Sequence, residues 1–166
     1  MNLKSIINED IKSAIKSGLS DKASALRFLS SVIKNKELEK RKRLSKEDES
    51  LTELEKLSEL TDEEVINVIL GELKKRKESI AQYEKYGREN LAKKEMAELE
   101  ILKKYVPEEM PEEELRSIVK KKIAEIDGAT MKDFNKIMGS VMAEVKGRTG
   151  GELVKKIIEE EMKNET

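Results

Sequence analysis

The only two prolines of this 166-residue chain, Pro107 and Pro111, stand close together and bound Glu108, Glu109 and Met110. Proline lacks the amide a helix needs and drives the residue before it toward extended angles, so regular structure has to break there. On both sides of the break, apolar residues recur at helical spacing in a background of Lys, Glu, Leu and Ile, the composition of an all-α protein. The expected fold is all-α, with an N-terminal helical lobe over residues 1–106 and a small C-terminal three-helix lobe over 107–166.

Within the first lobe, Leu3, Ile7, Ile11 and Ala14 or Ile15, with Ile6 widening the stripe, mark an amphipathic helix ended by Gly18. Ser20 or Asp21 can cap a second helix, whose buried face is expected to hold Ala25, Leu26, Phe28, Leu29, Val32 and Ile33. An acidic stretch near 45–60 has a thin apolar face of Leu51, Leu54 and Leu57. It is expected to start at Ser45 and to be a weakly docked or mobile excursion, lying back on the basic helix before it. Thr61 and Glu64 have the spacing of a capping box, opening a long helix with Ile66, Ile69, Leu70, Leu73, Ile80 and Tyr83 inside and Gly87 at its end. Leu91, Met96, Leu99 and Leu102 support the next. In the second lobe the apolar rows are Leu115, Ile118, Val119, Ile123 and Ile126; Phe134, Ile137, Met138, Val141, Met142 and Val145; and Leu153, Val154, Ile157 and Ile158.

Cys, His and Trp are absent and aromatic residues make up 3% of the chain. Without Cys or His there is no disulfide frame, thiol nucleophile, imidazole base or ordinary zinc or haem site. Glu95, Glu98 and Glu100 are the best local carboxylate set for a metal, but the usual helical-bundle site also needs histidine. The chain is expected to carry no catalytic set, cofactor or metal. The first residues lack the apolar core of a signal peptide and no apolar stretch approaches a membrane span, so a cytoplasmic location without membrane contact is expected.

Net charge is −1, but charge is segregated along the chain. Arg27 to Arg43 holds seven basic residues and two acids, whereas Glu47 to Glu64 holds nine acids and one lysine. Arg27, Lys34 and Arg41 are spaced to fall on nearly one side of a helix, with Lys36, Lys40 and Arg43 beside them. This is either a solvated helix end or a row for tracking phosphates. Gly147, Gly150 and Gly151 bracket Arg148 and Thr149 between helical segments, with Gly147 placed for a left-handed cap. That turn reads first as a helix hairpin whose glycines serve backbone geometry alone; the alternative is an anion site, since it puts Lys146 and Arg148 beside the free amides of a new helix start. Met138 and Met142 read as core filling, with an adaptable binding stripe as the alternative. Tyr83, Tyr86 and Tyr105 read as packing residues, with stacking on bases as the alternative.

Several stretches, in order and spacing, resemble the YqeY-like (GatB/YqeY) family: Leu26 to Glu37, Lys75 to Tyr83, Gly87-Arg88, Glu95 to Leu102 with Tyr105 and Pro107, and Gly139 to Val154. The resemblance implies an N-terminal helical lobe followed by a three-helix lobe similar to the tail of the B subunit of tRNA-dependent Asp/Glu amidotransferase, a module that grips tRNA while chemistry occurs elsewhere. It implies a non-catalytic tRNA-binding accessory module. Lys146, Gly147, Arg148, Lys155 and Lys156 would be its phosphate contacts, with Arg27, Lys34 and Arg88 as secondary ones in the first lobe. The alternative is a helical interaction module that docks on an aminoacyl-tRNA synthetase, an amidotransferase or another partner. The turn departs from the family pattern at Thr149, Gly150 and Lys155, and the acidic stretch near 45–60 looks like an insertion.

Overall fold

The computed structural model describes residues 2–45, 50–145 and 147–164. The chain divides into two compact units, Met1–Val106 and Pro107–Thr166. All regular structure in the described residues is helical.

The first unit contains α1 (Leu3–Lys16), α2 (Ser20–Leu44), α3 (Leu51–Ser58), α4 (Asp62–Lys85) and α5 (Glu89–Lys103). Asn2 caps α1 by accepting the Ser5 amide at 2.9 Å. Thr61 and Glu64 form the expected capping box, Glu64 taking the Thr61 amide at 2.8 Å and returning its own amide to the Thr61 hydroxyl at 3.2 Å. The acidic helix starts later than expected. Ser50 and Glu53 make its box, because Ser50 has a glutamate three residues on to close the reciprocal pair. Ser45, the expected start, instead ends α2, and residues 46–49 lie outside the described residues.

Ile7, Leu26, Leu29, Ile33, Val65, Ile69, Leu73, Leu99 and Leu102 form one core. Burying each such side chain contributes roughly 1.5–3 kcal/mol before entropy is counted. Six apolar assignments differ from expectation. Ile6, Ile15, Phe28, Leu57, Leu91 and Met96 are exposed. On α5 the inward row is instead Ala92, Leu99 and Leu102, with Glu95 in the same helical register. Lastly, α3 packs against α2 through buried Leu54 and Ser58.

The second unit contains α6 (Glu112–Ala124), a short 3₁₀ turn (Met131–Asp133), α7 (Phe134–Val145) and α8 (Gly151–Asn164). Its core comprises Leu115, Val119, Ile123, Ile137, Val141, Val145, Val154, Ile157 and Ile158, with Met138 and Met142 packed against it. The two methionines therefore fill the core. Arg116 ties α6 to α8, reaching Glu160 at 2.7 Å and Glu161 at 2.9 Å. Those bonds hold Glu160 below the ordinary carboxylate range, the Arg116 bond being the largest cause.

Candidate nucleic-acid interface

The glycine-bracketed turn of the second unit follows Val145, which is buried. Gly147 takes φ +76°, in the left-handed region where a side chain is disfavoured, and the Arg148 amide donates to the Val145 carbonyl at 2.9 Å. Lys146 lies outside the described residues. The turn is fastened to the Pro107–Pro111 segment by Arg148. The Arg148 carbonyl accepts the Met110 amide at 2.9 Å, and the guanidinium bonds both Glu114 oxygens at 2.8 and 3.3 Å. Such a paired fork is geometrically specific, so Glu114 takes one edge of the guanidinium on a side chain that is 36% exposed.

Lys155 and Lys156 are differently placed. They lie on α8 beside buried Val154, Ile157 and Ile158, and their side chains are 62% and 67% exposed. Each faces one carboxylate of its own helix, Glu159 at 3.9 Å and Glu160 at 3.8 Å. Exposed pairs this long contribute little, and the ammonium groups remain open to another anion. Glu152 brings an acid to the first turn of α8, where negative charge suits the helix start.

In the first unit the acidic segment neutralises part of the basic helix. Lys40 reaches both oxygens of Glu64 at 2.9 and 2.8 Å and the Glu59 carbonyl at 3.1 Å. Arg41 bonds the Ser58 hydroxyl at 3.3 Å and pairs with Glu55 at 3.5 Å. Lys36 pairs with Glu39 on its own helix at 2.7 Å. The Lys40 bond, followed by the Thr61 amide, holds Glu64 below the ordinary carboxylate range. Arg27 and Lys34 are exposed, and among the described residues no acid engages either side chain. Arg88 is also exposed and without an acid partner there; it begins α5.

The sequence pattern missed a buried ionic cluster. Arg76 on α4 is nearly buried, its side chain 9% exposed, and its Nη1 bonds Glu95 at 2.7 Å and Glu98 at 2.5 Å. Its Cζ lies 5.7 Å from the centre of the Phe28 ring, close enough for cation–π attraction, while Nε has no hydrogen-bond partner. Glu72, one turn earlier, is also buried and bonds Lys75 at 2.7 Å. One signal was available: Glu95 shares the helical row of Ala92, Leu99 and Leu102. Glu95 and Glu98, two of the three carboxylates weighed for a metal, thus clasp an arginine, and the described residues contain no group placed to hold a metal ion.

Tyr105 belongs to the core and donates its hydroxyl to Asp10. Burial first, and then the Asp10 carboxylate, push its ionisation above the ordinary tyrosine range. Within the described residues no helix is long and apolar enough to cross a membrane.

These features define a helical protein with a fastened turn, a buried ionic cluster and exposed cations without acid partners. Residues 4–162 match the model of the family described as Yqey-like protein, and the chain belongs to the YqeY-like family. It is also similar to an uncharacterised protein of Schizosaccharomyces pombe, 34% identical over 107 residues that span 64% of this chain and 74% of the relative.

Proposed function

We propose that this protein is a non-catalytic RNA-binding accessory module that takes tRNA as its ligand. The observation that carries the reading is the pair of exposed lysines, Lys155 and Lys156, directly after the turn that resembles the tail of the amidotransferase B subunit. Arg27, Lys34 and Arg88 supply further cations without acid partners among the described residues. Arg148 serves chiefly to hold the turn that presents α8, because Glu114 already occupies its guanidinium.

The test is binding of the purified chain to bulk tRNA and to duplex DNA of similar charge across a salt series. Affinity for tRNA should exceed that for DNA and fall as salt rises, because bound cations release condensed counterions. Changing Lys155→Gln and Lys156→Gln together should weaken binding and reduce the salt slope by about 2 if both touch phosphates. Equal affinity for both nucleic acids, or an unchanged slope in the double variant, removes the reading. The exposed apolar side chains Leu19, Phe28, Leu38 and Leu91 favour a second reading, a docking module for an aminoacylation enzyme. Salt-tolerant complex formation without RNA, with a purified synthetase or amidotransferase, would support it.

A further inference from the structure

Helix α4 closes on a Schellman turn. The Gly87 amide donates to the Glu84 carbonyl at 3.1 Å, and the Arg88 amide to the Tyr83 carbonyl at 2.8 Å. Gly87 takes φ +67°, which turns the chain sharply enough to bring Arg88 back to the face that carries Tyr83 and Tyr86. Gln82, Tyr83, Tyr86 and Arg88 line a depression of about 440 Å³ there.

The tyrosines of the chain are used in contrasting ways. Tyr105 is buried and bonded to Asp10, the ordinary structural use of this side chain. Tyr86 is 69% exposed, its ring touched by the Lys85 ammonium 5.8 Å from its centre. Among the described residues, no acid engages Arg88 and no hydrogen bond engages the Gln82 amide side chain. Two aromatic rings, an uncompensated guanidinium and a free amide that can both donate and accept therefore meet in one open depression.

Each of these groups recognises a different part of one ligand. Exposed rings stack on planar heteroaromatic bases, a guanidinium binds phosphate, and a side-chain amide reads the polar edge of a base. The volume lies within the range of small-molecule sites. We propose that this depression binds a single unstacked nucleotide, with its base against the tyrosine rings, its edge at Gln82 and its phosphate at Arg88. Glu84 and Glu89 neighbour Arg88 in sequence without lining the depression. The same chemistry is offered by a free mononucleotide and by a nucleotide within single-stranded RNA. The inference deepens the RNA-binding reading and rests on it for the second of these sources.

The full chain is titrated with a short single-stranded RNA, with adenosine monophosphate and with ribose 5-phosphate. Quenching of tyrosine emission, undisturbed by tryptophan because the chain has none, reports stacking. Tyr86→Ala should weaken binding about tenfold, within the range for one stacked base, Tyr86→Phe should keep it, and Arg88→Gln should weaken it while flattening its salt dependence. Adenosine monophosphate binding as tightly as the RNA identifies a free nucleotide as the ligand; much tighter RNA binding identifies the chain. Either result supports the site. Ribose 5-phosphate binding as well as the nucleotide overturns it, as does unchanged affinity in Tyr86→Ala and Arg88→Gln variants of native helicity. If tRNA binding depends on Lys155 and Lys156 but not on Tyr86 or Arg88, the depression fails and the accessory-module reading stands. If adenosine monophosphate binds through Tyr86 while no RNA does, the depression stands and the module reading fails.

Discussion

Replacing Arg76 by methionine keeps most of the side chain's length and removes its charge. Glu95 and Glu98, which hold Nη1 at 2.7 and 2.5 Å, would then face each other without a cation. Breaking a fully buried ion pair by deleting one partner costs about 3–5 kcal/mol. Here the carboxylates are 25% and 21% exposed, so water takes up part of that loss. Deletion also relieves the unpartnered Nε, worth about 1–3 kcal/mol where such a group is fully desolvated. Set against each other, these effects leave Arg76→Met destabilised by about 2 kcal/mol. With a urea slope of about 2 kcal/mol per M, the unfolding midpoint should fall by about 1 M. Adding Glu95→Gln and Glu98→Gln to Arg76→Met removes the stranded charges and should recover at least half of the loss. Equilibrium urea unfolding followed by circular dichroism measures both quantities. A loss below about 0.5 kcal/mol, typical of surface substitutions, would refute the reasoning, and so would a triple variant less stable than the single one.

Gly87→Ala should destabilise the protein by about 1 kcal/mol through backbone strain alone, since a Cβ there would meet no atom within 4 Å; a thermal midpoint unchanged or raised would contradict this. Thr61→Ala deletes one half of a capping box and should cost about 1 kcal/mol in the same assay. Glu64 and Glu160 are both held below the ordinary carboxylate range in the folded chain. Their contribution to stability is present above the unfolded carboxylate pKa and is lost as pH falls through their lower folded values, so the midpoint should fall on acidification below about pH 5. A midpoint constant down to pH 3 would count against it.

The helices and their local caps were legible because the signals are short-range. Thr61 and Glu64 face each other across one turn, and glycine at 18, 87 and 147 takes the left-handed angle that ends a helix. Arg76 was not legible. In a run of Lys74, Lys75, Arg76 and Lys77, charge alone does not say which side chain turns inward, and the answer depends on Glu95 and Glu98 in another helix. Phe28 was misplaced for the same reason: an aromatic residue in an apolar row is assigned to the core, yet it lies at the rim, 51% exposed, beside the Arg76 guanidinium. The thin apolar row of α3 reads in the sequence as weakly docked or mobile, yet buried Leu54 and Ser58 seat it on α2; its starting residue depended on which serine had a glutamate to complete the box. For the candidate interface, the sequence identified cations without showing which already had acids. Arg148 and Lys155 look alike in a sequence, but only Arg148 is held by a carboxylate fork.

That distinction bounds how strongly this chain can respond to salt when it binds nucleic acid. Lys40, Arg41, Arg116 and Arg148 have carboxylate partners at 3.5 Å or closer, and using one of them on a phosphate would return a carboxylate to solvent or leave it facing the phosphate. Arg27, Lys34, Arg88, Lys155 and Lys156 have no such restraint. If all of these and no others touched phosphates of a duplex region, the slope of log affinity against log salt would be about −4.5, and about −3.5 on a single strand. A shallower slope means that only a subset takes part, and the single substitutions identify which. A measured slope near −8 would require further cations to take part, either exposed ones such as Lys42 and Lys93 or ion pairs such as Arg148–Glu114 that open on binding. In the latter case Glu114→Gln, which frees Arg148 beforehand, should raise affinity; if it lowers affinity or leaves it unchanged, Arg148 acts through the turn it fastens and makes no phosphate contact.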